Sequence, residues 1–163
     1  MFLDQSIAMV ASPDPELPTR PSAAPSSPFI GRQRELATVV RLLGATRLLT
    51  LTGAGGSGKT RLASEATARI RIERPSVWID LSPLTEPDQV VQAVAVAFGM
   101  VEQSPAAALT LLRTEIGSRP FLLVLDNCEH LVDACAELAE TLLRACPNLT
   151  VLATSREALG VAA

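Results

Sequence analysis

Several features that would point to particular chemistries are scarce or missing in this chain. Its three cysteines, Cys128, Cys135 and Cys146, are spaced too widely for a C-x-x-C metal or redox motif. Small buried hydrophobes are the better reading of Cys135 and Cys146, and a reduced, cytoplasmic setting fits. A basic surplus is also missing: 14 Lys and Arg stand against 17 Asp and Glu, a net charge of −3. That balance argues against a chain that grips nucleic acid or an anionic membrane, so neither direct DNA binding nor a membrane partner is expected. The N-terminus has no basic segment ahead of an apolar core, as a signal peptide would. The most apolar later stretch, 90–100, is too short to cross a bilayer and contains Gln92.

What remains is a globular composition, 48% hydrophobic and 19% charged over 163 residues, enough for one domain with a sizeable core. Residues 1–28 stand apart. Half of the chain's 12 prolines fall there, among Ser, Ala and Thr. Such a segment cannot bury enough surface to fold, and it reads as a disordered Pro/Ser-rich linker ahead of a folded core over 29–163.

Within that core, helical and extended patterns alternate. Leu36, Val39, Val40 and Leu43 recur at helical spacing over 32–43, with Gly44 as the stop. A short β-rich run, 47–52, follows. A helix is expected over 58–72, ended by Arg74-Pro75, then a strand over 77–81 in which Trp78 packs into the core. Asp88 is expected to cap a helix whose apolar face is Val91, Val94, Ala95 and Phe98. A further helix over 106–116 carries Leu109, Leu112 and Ile116. Residues 121–126 are apolar up to the terminal Asp126, as in a strand covered on both faces. A long helix is then expected over 129–145, with Leu131, Cys135, Leu138 and Leu142 on one stripe, followed by a strand over 149–153. Alternating strands and helices imply a parallel sheet whose ligands sit at the carboxyl ends of the strands.

Three polar clusters fall at those ends. The first, Gly53-Ala54-Gly55-Gly56-Ser57-Gly58-Lys59-Thr60, satisfies G-x-x-x-x-G-K-[ST]. Its glycines let backbone N–H groups approach phosphate oxygens, and Lys59 adds a point charge. The Thr60 hydroxyl is suited to Mg²⁺, and the helix N-terminus favours an anion. The second is Asp126-Asn127, where the carboxylate would hold Mg²⁺ beside the loop hydroxyl. The third is Thr154-Ser155-Arg156; Arg156 reads either as a γ-phosphate contact or as an exposed arginine at a helix start. Glu129 and the lone histidine, His130, follow Asp126, and each reads either as a water-orienting group or as part of a solvated first turn.

The stretches 29–36 (FIGRQREL), 51–63 (LTGAGGSGKTRLA), 123–131 (LVLDNCEHL) and 152–160 (LATSREALG) resemble the STAND class of signal-transducing P-loop ATPases. They are most similar to the NB-ARC-like, AAA-type ATPase module of bacterial LuxR-family and antibiotic-regulatory transcriptional regulators. The resemblance implies a three-layer α/β/α P-loop NTPase sandwich with a mainly parallel sheet, four of about five strands lying in this chain. It also implies a switch run by ATP/ADP and Mg²⁺, with self-association through the module. Ile30, Gly31 and Arg32 would contact the adenine side, and Gly53 to Thr60, with Arg61, would wrap the phosphates. Thr60 and Asp126 would hold the metal, Thr154 and Arg156 would act as the first sensor, and Lys59, Asp126 and Arg156 would carry any catalysis.

Two departures qualify that picture. Asn127 stands where the wider class often has a second acid; an amide cannot act as a general base, so hydrolysis is expected to be slow. The family's fifth strand and its helical and winged-helix subdomains are not found before Ala163. The P-loop strand is therefore expected at an unpaired sheet edge, with weak nucleotide affinity. A small P-loop kinase is the rival enzyme reading, but no arginine-rich lid segment is visible and the 29–36 motif has no role in it. A non-catalytic nucleotide-binding interaction module is the third.

Overall fold

The computed structural model describes residues 31–70, 74–101 and 104–161. The proline-rich segment 1–28 and Ile30 lie outside these described residues, as does the expected end of the second helix. The elements run α1 (Gln33–Ala45), β1 (Leu48–Thr52), α2 (Lys59–Ile70), β2 (Ser76–Asp80), α3 (Asp88–Ala97), α4 (Pro105–Ile116), β3 (Phe121–Asp126), a 3₁₀ turn (Cys128–His130), α5 (Val132–Ala145) and β4 (Leu149–Ser155).

The four strands form one sheet in the order β1-β4-β3-β2, every neighbouring pair parallel. The expected three-layer α/β/α sandwich follows from how side chains alternate along the strands. Leu122, Val124 and Leu152 face one way, onto Leu36, Val39 and Leu43 of α1 and Leu62, Ala63 and Ala66 of α2. Phe121, Leu123, Leu125, Val151 and Ala153 face the other way, onto α3, α4 and α5. With both faces covered, β3 and β4 are buried along their whole length, which is why β3 shows no alternation in sequence. Trp78, half-buried, packs against the α1/α2 side as expected of a core residue. β1 is only partly buried and pairs with β4 alone. Its other edge is unpaired among the described residues, matching the expectation for the P-loop strand.

Several local expectations are corrected. The first helix passes through Gly44 to Ala45. Asp88 does not cap α3: it is the first helical residue, and no side chain of the N-cap position bonds to the helix. Gln89 instead ties the preceding turn to the helix, its Oε1 accepting the Thr85 and Glu86 N–H groups at 2.9 and 3.1 Å. Val90 and Val94 are fully buried and Val91 is partly buried against the same core, so the expected apolar face holds and extends to Val90. The helix expected over 129–145 begins as a 3₁₀ turn, and α5 starts only at Val132. The last strand continues past Ala153 through Thr154 and Ser155. Both are buried, so Arg156 follows a strand end, not a helix start.

The central strands carry the stability. Leu125→Ala, in fully buried β3, is expected to cost about 2–5 kcal/mol. Leu111→Ala, at a residue 44% exposed on α4, should stay within about 0.5 kcal/mol. Urea unfolding of both variants measures this, and matching midpoints would contradict the layer assignment.

Candidate functional site

The parallel register aligns the strand ends that matter. Asp80 of β2 lies opposite Asp126 of β3, while Leu51 and Thr52 of β1 lie opposite Thr154 and Ser155 of β4. β4 therefore stands between the loop-bearing strand and the strand ending in Asp126. The glycine loop closes directly into α2, whose first residue is Lys59, so the helix N-terminus points at the loop.

The loop's shape explains its composition. Gly56 and Gly58 have φ of +75° and +81°, which strains any residue with a Cβ. A Cβ on Gly58 would also stand 3.2 Å from Arg32 Nη1. The loop is braced from inside by Lys59, whose ammonium donates to the carbonyls of Gly53 and Ala54 at 2.8 and 3.1 Å. Arg32 braces it from outside, donating to the Ser57 carbonyl at 2.7 Å. The same guanidinium pairs with Glu35, whose hydrogen bond holds the Glu35 carboxyl below its usual range. Gly31 is exposed beside it, and Arg61 sits half-buried in the first turn of α2.

Asp126, 2% exposed, ties three elements together. Its Oδ1 accepts the Thr60 hydroxyl of α2 at 2.9 Å and the Thr154 hydroxyl of β4. Thr154 Oγ1 in turn accepts the Asn127 N–H at 3.0 Å. A hydroxyl and a carboxylate in contact are hard oxygen donors of the kind Mg²⁺ prefers, with the rest of its shell left to water and phosphate. Among the described residues no group of three or more His, Cys, Asp and Glu is assembled as a metal site. The donor set thus fits Mg²⁺ beside a phosphate and not an all-protein cage.

Asn127 has a job its sequence position did not reveal. It is the one non-glycine among the described residues with positive φ (64°), a conformation Asn tolerates better than most residues. In it the side chain donates from Nδ2 to Asp80 Oδ1 at 3.0 Å, and Asp80 Oδ1 also accepts the Ser82 N–H. Asn127 therefore cross-links the ends of β2, β3 and β4. Two strands both ending in Asp, followed by an Asn, was the available signal for this latch. His130 is committed elsewhere: its Nε2 sits 3.1 and 2.9 Å from the Leu81 and Leu84 carbonyls. It is a structural histidine holding the β2 turn, which removes it as a water-orienting group.

Glu129 and Arg156 face each other across the site, Nε to Oε1 at 3.6 Å. Arg156 Nη2 would lie 3.7 Å from a Cβ on Gly55, which puts the guanidinium over the phosphate loop. The cysteines take no part. All three are buried and free, and the hydrogen bond with Cys135, aided by burial, pushes the Cys128 thiol up. No helix among the described residues is long and apolar enough to cross a membrane.

Sheet order, glycine loop and buried aspartate together define a P-loop ATPase module of the AAA kind. A family model described as the AAA domain matches residues 42–161, and the chain belongs to that family. A putative HTH-type transcriptional regulator of Mycobacterium tuberculosis is 49% identical over 121 residues, covering 74% of this chain and 14% of that protein. An uncharacterized protein of Mycobacterium bovis is 46% identical over 136 residues, covering 82% of this chain and 35% of that one. The chain thus spans well under half the length of these relatives. Among solved structures, a STAND protein with a tetratricopeptide repeat sensor from Pyrococcus horikoshii matches with a TM-score of 0.55 at 18% identity. That match covers 83% of this chain and 22% of that one. A chain of the Drosophila ORC bound to DNA matches at 0.52 and 15%, over 76% of this chain and 77% of that one. At such identities these two likenesses speak to the fold alone.

Thr154→Val keeps the side-chain shape but leaves the Asn127 N–H without its acceptor and Asp126 with one donor fewer. A loss of about 1–3 kcal/mol is expected, read from denaturant unfolding without nucleotide. An unchanged midpoint would show that this hydroxyl does not hold the strand ends together.

Proposed function

We propose that this chain is the ATP/ADP-binding switch module of a signal-transducing regulator, with residues 29–163 as the nucleotide-binding core and 1–28 as a linker. The observation that carries the reading is the Thr60–Asp126 contact at 2.9 Å. It brings the last residue of the glycine motif onto a carboxylate from a strand two places away in the sheet, a pairing that phosphate-bound Mg²⁺ requires. In this reading Gly53 to Thr60 wrap the phosphates, and Lys59 leaves its two loop carbonyls to meet the β- and γ-oxygens. Thr60 and Asp126 hold Mg²⁺, which would neutralise phosphate charge. Thr154 and Arg156 read whether a γ-phosphate is present, while Gly31, Arg32, Arg61 and Ile30 border the rest of the nucleotide.

Asn127 is tied to Asp80 and offers no base, which supports slow turnover and a long-lived bound state. The names of the mycobacterial regulators support transcription as the output of the whole protein, in the cytoplasm, with self-association of the module as the transmitted change. Fluorescent ATP analogues should bind the wild-type chain in the presence of Mg²⁺. Lys59→Ala should bind at least about tenfold more weakly, the equivalent of one lost charge-assisted contact. Steady-state kcat should fall below about 1 s⁻¹. Equal binding by both proteins would sink the assignment.

A further inference from the structure

Slow hydrolysis still needs a group to take the proton of the attacking water, and the usual candidates here are engaged. Asn127 is an amide bonded to Asp80. His130 is held by two main-chain carbonyls. Asp126 Oδ1 already receives two hydroxyls. Among the described residues, one carboxylate oxygen is buried with no hydrogen-bond partner, Glu129 Oε2. A buried, unpaired carboxylate oxygen is costly and asks for a ligand or a function. Its sister oxygen Oε1 faces Arg156, the same guanidinium that overhangs Gly55 of the loop.

We propose that Glu129 is the proton-accepting residue of this ATPase, three positions beyond Asp126 rather than directly after it, and that Arg156 holds it in reserve until a γ-phosphate draws the guanidinium away. This rests on the nucleotide-binding reading above. Glu129 accepts one proton from water as the water oxygen bonds to Pγ, and the Pγ–O bond to the β-phosphate breaks. Its electron pair stays on the bridging oxygen, which leaves with ADP. The proton on Glu129 then passes to solvent, restoring the carboxylate. ADP offers nothing to compete for Arg156, so the pair stays closed and the carboxylate idle. Because Arg156 is 69% exposed, the pair is weak enough to be broken by a phosphate.

The test uses Glu129→Gln, an isostere that cannot take the proton, beside wild type and the double variant Glu129→Gln/Arg156→Ala. Single-turnover ATP hydrolysis is expected to fall about 100-fold or more in Glu129→Gln. Its ATP affinity should rise about two- to fivefold, because Arg156 is released towards the γ-phosphate, while ADP affinity stays at the wild-type value. The double variant should lose that gain. Wild-type hydrolysis in Glu129→Gln, or a wild type that binds ATP and never cleaves it, overturns the catalytic assignment. An affinity gain shared equally by ADP, or none for ATP, overturns the latch. Each of these leaves nucleotide binding standing, whereas equal ATP binding by Lys59→Ala and wild type removes the parent reading instead.

Discussion

The Asp126 carboxylate is the constraint on which the rest of this structure depends. It is almost fully buried at the end of the most apolar strand, a costly place for a charge unless hydrogen bonds offset it. Two threonine hydroxyls do so, Thr60 from the phosphate-loop helix and Thr154 from the intervening strand. Through them one oxygen atom fixes α2, β3 and β4 relative to each other. The arrangement also leaves the carboxylate beside a hydroxyl at the loop, where phosphate-bound Mg²⁺ would sit. Stability of the strand ends and readiness for nucleotide are therefore the same set of contacts.

Around that oxygen lies a second ring of polar contacts that joins neighbouring strands. The Asn127 main chain bonds Thr154, and its side chain bonds Asp80. His130 anchors the turn after β2. One contiguous hydrogen-bonded network thus joins the strand ends around the candidate site. Lys59 and Arg156 are the cations of the set. Each has a modest partner, two loop carbonyls and Glu129 respectively, and each would gain from a phosphate.

Much of this was legible in the sequence, for identifiable reasons. The glycine loop is legible because its chemistry fixes both residue types and spacing, and β3 because a strand buried on both faces cannot alternate. The alternation of elements implied the parallel sheet, and the resemblance implied the layers. The resemblance, not periodicity, put the P-loop strand at a sheet edge. Capping and register were less visible. Asp88 looked like the cap because of its type, yet it is the first helical residue, and the apolar face extends to Val90. Glu129 and His130 both read as water-orienting groups or as parts of a solvated turn, because a sequence shows which groups a residue carries but not what already occupies them. Glu129 was separated from His130 only once the histidine was seen to be engaged.

Hydrogen–deuterium exchange of the protein with and without Mg²⁺-ATP tests the central claim most directly, because it reports each backbone segment separately. The account predicts slowed exchange in 53–60, whose amides would wrap the phosphates, with smaller effects at 126–129 and 154–156. Protection confined to other segments, or none at saturating nucleotide, would contradict it.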